Sequence, residues 1–227
     1  MTASAHDTHI HSLPLSSPFR LESGVNLEKA VIAFQTFGRL SKERDNVIWI
    51  FHALTANSNP LEWWPGLVGK EKLFDPEKHF IVCAKMLGSC YGSTGAADIN
   101  PETGRKYGPD CPEVTIRDIV TSLQVLKNHL GISRIKCGIG GSMGGQQLLE
   151  WAVREPELFD LIIPVATNAR HSPWGIAFNT AQRMAVEADP TFHNYTADGG
   201  KAGLKAARAI GMLSYRNKET FNKTQAG

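Results

Sequence analysis

One serine set among glycines carries the most specific chemistry in this chain. Gly140-Gly141-Ser142-Met143-Gly144 has the Gly-x-Ser-x-Gly spacing of a nucleophile elbow. A serine hydroxyl attacks a carbonyl only when it is lifted clear of its surroundings and activated. A sharp strand-to-helix bend lifts it, and crowds the backbone so tightly that flanking side chains would collide. Gly140, Gly144 and Gly145 remove those side chains. The pentapeptide alone also fits a glycine-rich turn with an idle serine, or a loop that cradles phosphate. Its placement, directly after the apolar run Ile135 to Ile139 and directly before a helical pattern, selects the elbow.

Acyl chemistry at such a serine needs two amide donors for the oxyanion. One is the N–H of the residue after the nucleophile, Met143, at the start of the helix. The other comes from a loop after an earlier strand. His52-Ala53-Leu54-Thr55, after the apolar run Asn46 to Phe51, is the loop in the right place, and the Leu54 N–H is assigned as the second donor. His52 is read as a hydrogen-bonded residue that shapes this loop. The partners of an elbow serine are an acid and then a histidine, in that chain order, on loops after later strands. The 85 residues after Ser142 contain His171, His193, Asp160, Asp189 and Asp198, none of them after a strand at the expected place. The expectation is a truncated chain whose Asp and His lie beyond Gly227, with His193 as an unusual base the alternative.

The elements that must position these groups follow from periodicity. Ala30 to Phe37, Asn46 to Phe51, Phe80 to Ala84, Ile135 to Ile139 and Leu161 to Ala166 read as strands, several apolar at nearly every position, as strands covered on both faces are. Ile116, Ile119, Val120, Leu123, Leu126 and Leu130 form one helical face, opened by a Thr115 and Asp118 capping box and closed by Gly131. A second helix runs from Ser142 through Leu148 and Trp151 and ends before Pro156. The alternation predicts an α/β fold, a mostly parallel sheet flanked by helices. After about Ala166 the pattern turns helical, over Ser172 to Ala188 and Lys201 to Tyr215, and Asn217 to Gly227 reads as a polar tail. The predicted organisation is a flexible tail over 1–18, the N-terminal part of an α/β core over 19–166, and a helical lid over 167–227.

Composition excludes several classes. Lys plus Arg number 24 and Asp plus Glu 22, a net charge of +2, too even for non-specific phosphate binding, so no nucleic-acid partner is expected. No apolar run approaches the roughly 20 residues of a membrane span, and the N-terminus lacks the pattern of a secretory signal. Four dispersed cysteines without a Cys-x-x-Cys pair fit a reducing cytoplasm. His6, His9 and His11 have a spacing that could hold a metal, but a mobile tail is the preferred reading and no metal is expected. Cys90 is read as a small packing residue, and Trp63 and Trp64 as either walls of the acyl pocket or anchors of the preceding loop.

Gly140 to Gly145 followed by Leu149-Glu150-Trp151-Ala152 resembles the elbow of the homoserine O-acetyltransferases, a family of the α/β-hydrolase superfamily. His52 to Thr55 is similar to that family's His-Ala-Leu-Thr loop, and Leu87 to Gly95 to its glycine-rich segment. Gly203-Leu204 through Ala207-Arg208 to Tyr215 looks like its first lid helices. The resemblance implies transfer of an acetyl group from acetyl-CoA, a co-substrate and not a bound cofactor, to the hydroxyl of L-homoserine, in methionine biosynthesis. It implies that Ser142 forms the acyl-enzyme, that Arg208 binds the homoserine carboxylate, that Tyr215 lies near the substrate, and that the lid helices form a homodimer. Lys85 stands where the family has Asn, Ser89 for Gly and Ala96 for Pro, changes that bear on acyl-donor choice. Transfer of succinyl, serine as acceptor, a small-ester serine hydrolase and a catalytically inert fragment remain the alternatives.

Overall fold

Val47 to Phe51 is buried at every position, and its side chains divide between two cores. Val47, Trp49 and Phe51 face one side of a sheet, where they meet Leu148 and Trp151; Ile48 and Ile50 face the other, where they meet Val68 and Phe74. This is the alternation of a strand covered on both faces. The computed structural model describes residues 9–215 and 217–225.

In chain order the elements are β1 (His11–Pro14), β2 (Phe19–Arg20), β3 (Asn26–Leu27), β4 (Val31–Phe37), β5 (Val47–Phe51), α1 (Pro60–Trp63) and β6 (Phe80–Ala84). There follow α2 (Ile116–His129), β7 (Cys137–Gly141), α3 (Met143–Arg154), β8 (Ile162–Val165), α4 (Pro173–Glu187), α5 (Lys201–Ser214) and α6 (Lys218–Gln225). One sheet of six strands has the order β1-β4-β6-β5-β7-β8. β6, β5, β7 and β8 are mutually parallel, and β4 and β1 add antiparallel pairings at one side. The predicted α/β architecture with a mostly parallel sheet is the one observed. Trp151 of α3 meets Trp49 edge-on, with ring centroids 5.0 Å apart, and so seats the helix on the sheet.

Local signals account for the helix ends. Thr115 and Asp118 form the reciprocal capping box that opens α2, and Gly131 takes φ +64° just past its end. Three expectations change. Residues 11–14 are an edge strand paired with β4, not tail, because His11 stacks on Phe34 and Leu15 lies in the core; His6 lies outside the described residues. The strand before the elbow is shifted to Cys137–Gly141, since Ile135 makes only an isolated bridge to Phe159. The polar segment after Tyr215 contains α6, for which the Asn217 side chain accepts the Thr220 N–H, as an N-cap does.

The chain divides into two compact units at Ala169/Arg170, three residues beyond the expected boundary. In the second unit α4 and α5 pack closely: a Cβ on Gly203 would lie 2.6 Å from the Ala185 carbonyl oxygen. Asp189, just past α4, accepts the Gly203 N–H at 2.8 Å and the Thr191 N–H and hydroxyl at 2.9 and 2.6 Å. These bonds hold its carboxyl down to about pKa 2, led by the Thr191 hydroxyl. Asp189 is therefore tied into the α4–α5 turn.

Candidate active site

Because β5, β6 and β7 are parallel, the residues that follow them emerge along one edge of the sheet: His52 after β5, Lys85 after β6 and Ser142 after β7. That edge is where ligands bind in open parallel sheets. Ser142 sits between the last residue of β7 and the first of α3 with φ 53° and ψ −120°. A non-glycine residue there stores about 1–3 kcal/mol of strain. Its N–H donates to the Val165 carbonyl at 3.0 Å, and its side chain is exposed, with no hydrogen bond to any other described residue.

The glycines explain how the bend is possible. A Cβ on Gly144 would lie 2.1 Å from the Phe51 carbonyl oxygen, and one on Gly140 would lie 2.4 Å from that of Gly144. Gly145 abuts Thr167 in the same way, at 2.5 Å. Gly141, by contrast, has open space where a side chain would stand.

Both expected oxyanion donors lie on peptides whose carbonyls are pinned. The Ser142 carbonyl accepts from the Gly145 and Gln146 N–H groups and from the Thr167 hydroxyl, at 3.0, 3.2 and 2.7 Å. The Ala53 carbonyl accepts from the Ala56 N–H at 3.0 Å and bonds His52 Nδ1 at 2.8 Å. A trans peptide points its N–H opposite to its carbonyl. The Met143 and Leu54 N–H groups thus face away from those partners, and neither has an acceptor among the described residues. Leu54 and Met143 line one cavity of about 250 Å³, together with Met86, Leu87, Ser89 and Ala96. Ser89 Oγ is buried without a partner among the described residues.

His52 is part of the scaffold. The Met86 N–H donates to its Nε2 at 3.2 Å, so Nε2 must be the acceptor and Nδ1 carries the proton given to the Ala53 carbonyl. Burial, with a smaller push from the Lys85 charge, lowers its pKa below the ordinary 6.5, against the raising effect of the bond to Ala53. Both nitrogens are committed to loop geometry. Trp63 Nε1 donates to the Asn57 carbonyl at 3.1 Å, and Trp63 and Trp64 pack on the second core, so this pair anchors the loop after Leu54. Cys90 is exposed and not a packing residue.

Arg208 and Tyr215 belong to the other unit. They lie two helical turns apart, Arg208 on α5 and Tyr215 at its end, both exposed, on a face shared with Leu204. Two positioning residues escaped the sequence. Thr167 and Met86 reach the site from distant segments, and no local motif marks either one. Among the described residues no group of His, Cys, Asp and Glu has a metal-binding arrangement, and no helix is long and apolar enough to cross a membrane.

The chain is 52% identical over 206 residues to a homoserine O-acetyltransferase of Cyclobacterium marinum, an alignment covering 91% of this chain and 59% of that protein. The chain thus spans about three-fifths of the length of that curated relative. Among solved structures it resembles the homoserine O-acetyltransferase of Bacillus anthracis, with a TM-score of 0.87 and 26% identity over 95% of this chain and 62% of the other. It also resembles esterase E22, with a TM-score of 0.86 and 26% identity over 95% and 64% of the two chains. A family model described as the alpha/beta hydrolase fold matches residues 46–207, from the strand before the oxyanion loop through the elbow and into α5. That match covers most of the chain and includes every element just described around Ser142, and the chain belongs to the α/β-hydrolase fold family.

Proposed function

We propose that this chain is the nucleophile-bearing part of an acyltransferase that moves an acetyl group from acetyl-CoA to the hydroxyl of L-homoserine, a step toward methionine. The observation that carries the reading is the pair of outward-facing amides, Leu54 and Met143, beside an exposed hydroxyl held at a strained bend. Ser142 Oγ attacks the thioester carbonyl, the oxyanion is taken up by the two N–H groups, and the CoA thiol leaves with a proton. The homoserine hydroxyl then attacks the acyl-enzyme and gives up its proton as Ser142 is released. Each amide donor is worth about 3 kcal/mol at the transition state. Each proton transfer calls for a general base, and no described residue hydrogen-bonds Ser142 Oγ.

An acetyl rather than a succinyl group is favoured because, among the described residues, no Lys, Arg or His lines the cavity at Leu54 and Met143. A second carboxylate buried there would lack a counter-charge. Arg208, whose planar guanidinium suits a carboxylate, clamps the amino-acid acceptor with Tyr215 beside it. Met212 and Leu213, exposed near the end of α5, offer apolar area for a homodimer through the lid helices. Four free cysteines accord with a cytoplasmic setting.

The second reading is a small-ester serine hydrolase, favoured by the likeness to esterase E22. The test is to fuse this chain to the C-terminal two-fifths of the Cyclobacterium marinum relative and to supply acetyl-CoA with and without L-homoserine. O-acetylhomoserine formed by the fusion and lost with Ser142→Ala supports transfer. Free acetate at the same rate with or without homoserine supports hydrolysis.

A further inference from the structure

Lys85, directly after β6, is 7% exposed as a residue, so its stem is buried, and no described residue gives its ammonium a carboxylate or a hydrogen bond. The nearby Gly92 leaves it room, since a Cβ there would stand 3.8 Å from Nζ. Burial pushes its pKa below the usual lysine range. An ammonium held at a cavity by a buried stem, with no partner of its own, is available to a ligand anion.

The surroundings state what that ligand must carry. Lys85 lines a cavity of about 450 Å³ with Gln35, Asn57, Asn59, Glu62 and Tyr91, and none of these lines the cavity at Leu54 and Met143. Asn57 Nδ2 and Asn59 Nδ2 donate to the two oxygens of Glu62, at 3.1 and 2.9 Å, fixing that carboxylate in the wall. Asn59 Oδ1 is buried with no donor. The cavity therefore offers one unpaired cation, one held anion and one unfilled acceptor. An anion alone would satisfy Lys85 but leave Asn59 Oδ1 without a donor and face Glu62; an amine alone would satisfy the acceptors but face Lys85.

We infer that the cavity binds the zwitterion of an α-amino acid, the α-carboxylate on Lys85 Nζ and the α-ammonium toward Glu62 and Asn59 Oδ1. The volume leaves space for a side chain beside Tyr91. The cavity is built from residues of the first unit, and its assignment does not depend on the acyl-transfer reading.

Isothermal titration and thermal unfolding of the 227-residue chain with L-norleucine, acetate and n-butylamine as probes test it. Norleucine should bind and raise the melting temperature, with acetate and n-butylamine each at least about tenfold weaker, because each meets only half of the site. Lys85→Met and Glu62→Gln should each weaken norleucine at least about tenfold. Norleucine that binds no better than acetate, or that binds Lys85→Met as well as the parent, would overturn the assignment.

Discussion

The Thr167 hydroxyl donates to the carbonyl oxygen of Ser142 at 2.7 Å, and its methyl carbon fills the place where a Gly145 side chain would begin. One residue beyond β8 therefore fixes the peptide that carries the Met143 N–H and also dictates a glycine in the first turn of α3. Thr167→Val keeps the shape and removes the donor. Its expected effect is a severalfold fall in acyl transfer, read as kcat with KM little changed, and a stability loss of about 1 kcal/mol by denaturant titration.

Three neighbouring glycines should respond unequally to alanine. Gly144→Ala drives a Cβ into the backbone oxygens of Phe51 and His52, which have no side-chain freedom to yield. It should cost 3 kcal/mol or more, on the order of the largest overpacking effects. Gly145→Ala meets a side chain, Thr167, and should cost about 1–3 kcal/mol. Gly141→Ala enters open space and should change stability by less than about 0.5 kcal/mol. Urea unfolding of the three variants ranks them.

His52→Ala leaves the buried Met86 N–H without its acceptor, at about 1–3 kcal/mol, and frees the Ala53 peptide to turn. Losing the Leu54 donor in this way should lower acyl transfer about 10²-fold, the scale of deleting one oxyanion donor. Steady-state rates and denaturant midpoints of this variant check both.

The pH dependence has a defined sign at two sites. The folded pKa of His52 lies below its ordinary 6.5, so the unfolded chain takes up the proton first. The contribution of neutral His52 is complete above about pH 6.5 and is lost as pH falls below that value. Asp189, held to about 2 in the folded chain, contributes stability that is complete above the unfolded carboxyl pKa near 4 and is lost as pH falls toward 2. Melting temperature against pH should therefore drop in two windows. His52→Ala should flatten the first and Asp189→Asn the second.

Arg208→Ala separates the proposed transferase from the hydrolase. Removing the guanidinium should raise the KM for homoserine on the order of 10²-fold and leave hydrolysis of p-nitrophenyl acetate unchanged, because an activated ester needs no carboxylate clamp. Both rates, measured in the fusion described above, give the answer.

What the sequence disclosed divides by distance along the chain. β5 and β6 were legible because their apolar runs need both faces covered, and α2 because its capping box and closing glycine are local. β1 was not, since His11-Ser12-Leu13-Pro14 is half polar and becomes a strand only when His11 stacks on Phe34. β7 was misplaced by two residues because its glycine-rich run carries no periodicity of its own. At the site, Ser142, Leu54 and Met143 could be read from two short motifs. Thr167 and Met86 could not, for they act across 25 and 34 residues through single hydrogen bonds. The placement of Lys85 was likewise invisible, because only the fold reveals that its stem is buried and that its side chain lines a cavity.

Peptide mass spectrometry of the 227-residue chain after brief exposure to p-nitrophenyl acetate tests the central claim most directly. An exposed hydroxyl at a strained bend beside two free amides should take up one acetyl group at Ser142, because oxyanion stabilisation persists even where the triad is incomplete. The label should be absent from Ser142→Ala and at least about tenfold lower in His52→Ala. Acetyl found on surface lysines alone, with Ser142 unmodified in the parent chain, would contradict the account.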